Sequence, residues 1–255
     1  MHDASVFVGH WAFSPAPTAT VKDLIARLSA AEITGAAFSP AEAVLAPEPM
    51  TANCRLFAAL AATQSAGFTV VAVPIIDPSL PGWEDHFAAS LDAGGTMVRA
   101  VKIVPNYHNY SLDIPAVTAL ARECGERGIG LCVQVRMEDE RSHHPLMRVP
   151  AVPPAAVVAL AGEHAALPLL ICGAYMAELT AYRTCPTVSV ELSFVESGFL
   201  LRDALASLDA DRLLLGTHAP VHMIATSVAK LSSDDLNADA RARIGTENFA
   251  RFFSG

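Results

Sequence analysis

The sequence predicts an α/β protein built as a single (β/α)8 TIM barrel spanning residues 1–255, and three observations predict it. Short apolar, β-branched runs recur eight times. Helical stretches lie between them, and eight strand-helix units of roughly 30 residues fill the chain. No Gly-rich turn of the kind that cradles a nucleotide in an open doubly wound sheet follows any strand.

The strands are expected at SVFVG (5–9), ITGAAF (33–38), FTVVAVPII (68–76), MVRAVKIV (97–104), IGLCVQV (129–135), LPLLICG (167–173), TVSVELS (187–193) and RLLLG (212–216). Continuous apolar runs, in place of strict alternation, are what a parallel sheet covered on both faces requires. The clearest helices are TATVKDLIARLSAAE (18–32), NCRLFAALAATQSAG (53–67), DIPAVTALARECGERG (113–128) and VPPAAVVALAGEHAA (152–166). The third is expected to open on a Ser/Asp cap after Ser111, with Pro in its first turn, and to end at Gly128. DAGGT (92–96) precedes a strand and reads as a helix C-cap.

Hydrophobic residues make up 52% of the chain and charged residues 17%, which excludes a disordered chain. Every apolar run is broken by Pro, Gly or charge before the roughly 18 residues a spanning helix needs. MHDASVFVGH carries no basic region followed by a signal-peptide core, so a cytoplasmic protein without a membrane partner is expected. A net charge of -9 with no basic run argues against nucleic acid and for a small-molecule ligand. The apolar composition makes a homo-oligomer an expectation. The five cysteines form no C-x-x-C pair and read as reduced, mostly buried thiols.

In a barrel, reactive groups collect at the C-terminal strand ends. Of nine histidines, His10 follows strand 1, His108 strand 4, His143 and His144 strand 5, and His218 strand 8, so five share one face. His86 and His164 fall in outer helices, His222 starts the last barrel helix, and His2 is terminal. The loop QVRMEDERSHHP (134–145) is far too polar to be a mere connector. Lys102 interrupts an apolar strand, where an ammonium must pair with a carboxylate or face a solvated mouth. Trp11 reads as an aromatic plug over the mouth.

RLLLGTHAP (212–220), ARIGTENFARFF (242–253) and VKIVP followed by LDIP (101–105, 112–115) resemble, in order and spacing, strand 8, the closing helix and strand 4 of the amidohydrolase superfamily. The resemblance covers essentially the whole chain and is to the short branch of metal-dependent hydrolases and related decarboxylases. That family's pattern has His-x-His on strand 1 after an Asp, whereas DASVF (3–7) has Ser5 and Phe7. The strand-5 His falls on Gln134, the strand-6 His near Cys172 or Gly173, and the strand-8 Asp on His218. No metal is therefore expected at the family's usual position.

The favoured reading is a hydrolase acting on a small anionic ester, lactone or amide. Lys102, Arg136 and Arg141 would stabilise an oxyanion, His218 would act as base, and Glu191 as its partner or an alternative base. An ion pair of Glu191 with Lys102 or Arg136 is the structural alternative. Gln134, Arg141, His143, His108 and His10 are the expected substrate contacts. A second reading rebuilds a single zinc-like divalent metal site from His10, His108, His218 and Glu191, and a third is a non-catalytic small-molecule-binding barrel. Strand parity places Gln134 and Arg136 on one side and Val133 and Val135 against the helices. A solvated Arg136 would cost only about 1 kcal/mol on replacement by Ala.

Overall fold

The computed structural model describes residues 1–13, 18–63, 67–143, 146, 148–197, 200–232 and 236–254. Strands and helices alternate as β1 (His2–Val8), α1 (Val21–Ala30), β2 (Gly35–Pro40), α2 (Met50–Ala62), β3 (Thr69–Ala72), α3 (Trp83–Gly94), β4 (Ala100–Ile103), α4 (Pro115–Glu126), β5 (Gly130–Gln134) and α5 (Pro154–Glu163). Then follow β6 (Leu169–Cys172), β7 (Val188–Glu191), α6 (Leu200–Ser207), β8 (Leu213–Leu214), α7 (Ile224–Leu231), α8 (Ala238–Ala242) and α9 (Asn248–Phe253). Between β6 and β7 a 3-10 helix, Met176–Tyr182, stands in place of an α-helix.

All pairings are parallel, in the orders β1-β2-β3 and β4-β5-β6-β7-β8. Single bridges, Ala72 to Val98, Ile75 to Lys102 and Val6 to Ala219, join the two sheets into a closed (β/α)8 barrel. Every strand from β3 to β8 is shorter than expected, and two of them show why. β3 stops at Ala72 because Pro74 has no N–H for the ladder, although its carbonyl still accepts from Lys102 N at 2.8 Å. β8 pairs only through Leu213 and Leu214, after which the chain is held to β1 by bonds such as His218 N to Ser5 O at 2.8 Å.

The helices obey their local chemistry with one correction. Thr20 caps α1 by accepting from Asp23 N at 3.1 Å, and Gly95, at φ +53°, closes α3 within the DAGGT segment. At α4, however, Ser111 donates to Asp113, the N-cap is Ile114 without a side-chain cap, and Pro115 begins the helix. The Ser/Asp pair satisfies itself, and the fixed φ of Pro115 starts the turn.

Two apolar layers result. Val101, Val133, Val135, Ile171, Val188 and Val190 point outward into the helix layer, as parity requires. Ala4, Ala37, Val71, Ala100, Cys132, Leu170, Cys172 and Leu214 fill the interior, closed at the N-terminal end by Phe249 and Phe253 of α9. Four cysteines are buried and Cys54 is exposed, all as free thiols. No described helix is long and apolar enough to cross a membrane.

Candidate active site at the barrel mouth

Above the interior layer, the next inward positions of the strands carry polar side chains: Lys102 on β4, Gln134 on β5, Glu191 on β7, then Arg136 and His218 in the following segments, each 0–2% exposed. The mouth is covered by Phe7, Trp11, Val44, Ile75, Val104 and Met137, with Trp11 set edge-on to Phe13 at 5.4 Å and to Tyr107 at 5.7 Å.

Lys102 Nζ lies 4.4 Å from the centroid of the Phe7 ring, on its face. No ion pair or hydrogen bond of this ammonium occurs among the described residues. His218 meets the same Phe7 ring edge-on at 5.0 Å, and touches Phe194 at 5.1 Å and His222 at 5.2 Å. Its backbone is left-handed at φ +55°, a conformation costing a β-carbon-bearing residue roughly 1–2 kcal/mol. Burial first, then the charges of His222 and Lys102, push its imidazole well below the ordinary histidine range, so the ring is neutral at pH 7. Nε2 sits 2.9 Å from the carbonyl oxygen of Met137, which can only accept, so Nε2 carries the proton. The lone pair is therefore on Nδ1, a buried atom without a hydrogen-bond partner. Ser5 Oγ and Gln134 Oε1 are also buried without partners, while Gln134 Nε2 donates to Arg136 O at 2.7 Å.

Three expectations change here. Glu191 pairs with neither Lys102 nor Arg136 and makes no bond to His218. Its carboxylate accepts from Gly173 N at 2.6 Å, Ser193 N at 2.7 Å and Ser193 Oγ at 2.8 Å, and it fills the space beside Gly216, whose added Cβ would lie 2.1 Å from Oε2. It stitches β6, β7 and the end of β8 together. Arg136 is not a free cation: it donates to Glu178 at 2.9 and 2.5 Å and to Gly173 O, and stacks on Tyr175 at 3.8 Å. At 2% exposure it is no solvated surface group, and a cost near 1 kcal/mol is too small for it. Arg141 is bound by Asp139 at 2.6 to 3.1 Å on the solvent side of the mouth.

A cavity of about 660 Å³ lies over this region, lined among others by Asp139, Arg141, Tyr175, Met176, Phe194 and His222. Phe194 and His222 form the contact between that cavity and His218. His143 borders a separate cavity of about 390 Å³ with Phe13, Tyr107 and Glu138, and His144 lies outside the described residues. His222, assigned from sequence to the start of a helix, precedes α7 and faces the site.

Among the described residues, the side chains expected as ligands do not come together as a metal site. His10 is exposed at the rim, where its backbone N–H binds Glu42. His108 sits elsewhere, with Nε2 3.1 Å from Ala43 O and Nδ1 3.6 Å from Asp77. Glu191 is engaged as described, and although His218 keeps a free Nδ1, the exposed His10 and the Ala43-bound His108 do not join it, so the rebuilt single-metal set of His10, His108, His218 and Glu191 is not assembled. Ser5 and Phe7 present a hydroxyl and a phenyl ring on β1, and the Lys102 cation lies on the face of the latter. No group of three or more His, Cys, Asp or Glu suited to a metal occurs among the described residues.

The closed ring of parallel strands with helices outside defines a (β/α)8 barrel. No protein-family model and no curated protein sequence matches the chain. Solved structures do. An amidohydrolase from Burkholderia multivorans with bound HEPES superposes with TM-score 0.72 at 16% identity, covering 99% of this chain and 98% of that one. A candidate 2-pyrone-4,6-dicarboxylic acid hydrolase from Pseudomonas putida gives 0.70 at 15% identity, covering 99% and 97%. A 2,6-dihydroxybenzoate decarboxylase from Rhizobium gives 0.68 at 15% identity, covering 99% of each chain. At these identities the likeness establishes the fold, and it falls among the kinds of barrel that the sequence resembles.

Proposed function

We propose that this chain is an amidohydrolase-superfamily barrel that hydrolyses a small carboxylate-bearing ester, lactone or amide, using a fixed cation and a neutral imidazole at the strand ends. One observation carries the reading: the uncompensated Lys102 ammonium and the neutral His218 ring pack on the same Phe7 side chain. A buried cation without a carboxylate is costly, and an anionic group brought beside it offsets that cost. Two of the fold neighbours, a candidate dicarboxylic acid hydrolase and a dihydroxybenzoate decarboxylase, are named for carboxylated molecules, which supports the same substrate class.

In this reading the substrate enters through the cavity over Phe194 and His222. Lys102 Nζ donates to the substrate carboxylate and holds it, water attacks the acyl carbon while its proton passes to Nδ1 of His218, and the carbonyl oxygen becomes the oxyanion of the tetrahedral intermediate. Collapse breaks the C–O or C–N bond, and the proton returns from Nδ1 to the leaving atom. Glu191 and Arg136 hold strand ends in place and take no proton.

Decarboxylation is the competing chemistry, favoured by the fold likeness to decarboxylases. A panel of carboxylated lactones, esters, amides and hydroxybenzoates, scored for acid release and for carbon dioxide, separates the two. Acid release without carbon dioxide, lost in His218→Gln, is the expected result. Carbon dioxide alone, or hydrolysis unaffected by His218→Gln, overturns the reading.

A further inference from the structure

The barrel closes between β1 and β8, and there the ladder is irregular. The register of β1 against β2 shifts between Asp3 and Val6, so that Ala4 faces the interior, Val6 the helix layer and Phe7 the mouth. Asp3 is thereby turned to the seam with the segment after β8. Its carboxylate accepts from Thr217 N at 3.0 Å, from Thr217 Oγ1 at 2.5 Å and from Ser5 N at 3.0 Å. Thr217 Oγ1 in turn accepts from Ala219 N at 3.1 Å. Both neighbours of His218 in the chain are thus tied to one buried carboxylate, while His218 N is held by Ser5 O and Phe7 N donates to Ala219 O at 2.7 Å.

From this geometry we infer that Asp3 and Thr217 are positioning residues for His218: the relay Asp3–Thr217–Ala219 fixes the left-handed backbone that presents the imidazole to Met137 and Phe7. The alternative role, holding the barrel shut, is already filled by three backbone bonds across the seam, Ala4 N to Leu215 O, His218 N to Ser5 O and Phe7 N to Ala219 O. Asp3 is 0% exposed, and burial raises its carboxyl to about 7. A group kept at such cost, in a closure already bonded through the backbone, fits a local geometric task. The catalytic consequence rests on the proposed role of His218, but the positioning itself does not.

The experiment reads the His218 ring directly, by ¹⁵N NMR of the full-length protein. Thr217→Val removes only the hydroxyl, Thr217→Ser retains it, and Asp3→Asn replaces the acceptor. Asn248→Ala, which removes bonds to the Ala210 and Leu213 carbonyls at the other end of β8, is the destabilised control. Expected is a folded Thr217→Val protein whose His218 Nε2–H exchanges at least ten-fold faster, a similar change in Asp3→Asn, and wild-type signals in Thr217→Ser and Asn248→Ala. Unchanged His218 signals in Thr217→Val overturn the inference. So does an unfolded Thr217→Val protein, because the relay would then support the barrel itself. Altered ring signals in a protein whose wild type hydrolyses nothing would sink the proposed function and leave the positioning intact.

Discussion

His218 Nε2 and the carbonyl oxygen of Met137 stand 2.9 Å apart, and this one contact fixes which ring nitrogen can act as a base. A carbonyl cannot donate, so the proton is on Nε2 and the lone pair on Nδ1. NMR of the ring nitrogens should show the Nε2–H tautomer. Because burial and the adjacent Lys102 and His222 lower its affinity for a second proton, His218 should titrate well below 6.5, with no change between pH 8 and 6.5. A midpoint at or above 6.5 would contradict the described environment.

Arg136→Ala should cost about 2–4 kcal/mol in denaturant unfolding, because it strips the guanidinium from Glu178, Gly173 O and the Tyr175 face together. Glu178 retains some exposure, which keeps the cost below that of a fully buried pair. Ligand affinity per folded molecule should change little.

Gly173→Ala should destabilise by about 2 kcal/mol or more, and Gly128→Ala by about 1. Both are left-handed, at φ +83° and +66°, but a Cβ on Gly173 would lie 2.6 Å from Arg136 O, whereas nothing lies within 4 Å at Gly128. Equal costs in thermal unfolding would show that the close approach of β6 to Arg136 is absent.

The Asp3 carboxyl, raised to about 7 from an ordinary 3.8, binds its proton more tightly in the folded chain than in the unfolded one. Its contribution to stability is full below about pH 4 and is lost as the pH rises through about 7. The difference in unfolding free energy between wild type and Asp3→Asn should therefore shift against wild type over that window. A difference independent of pH would place the Asp3 titration outside it.

The eight strands were legible because parallel strands buried on both faces read as unbroken apolar runs. The two-residue β8 was not, since RLLLG carries the same signal whether or not its last residues join the ladder. Lys102, Gln134, Glu191 and His218 could be found as polar groups at apolar strand ends, and all four are buried. The partners that set their roles could not. Glu178 meets Arg136 across 42 residues, with no local pattern linking them. Asp3 faces the seam because a bulge breaks the alternation from which its direction would be read. Phe194 and His222 become neighbours of His218 only when β7 and β8 pair.

The central claim is that the Lys102 ammonium receives the carboxylate of the substrate, and paired substrates test it most directly. Turnover should be compared in wild type and Lys102→Met, a replacement that keeps an unbranched side chain and removes the charge, using one hydrolysed carboxylate and its neutral methyl ester. The account predicts that wild type prefers the carboxylate and that Lys102→Met lowers kcat/KM for it at least 100-fold, about 2.7 kcal/mol, while the neutral ester loses much less. Equal losses for both substrates, or a carboxylate preference that survives in Lys102→Met, would contradict it.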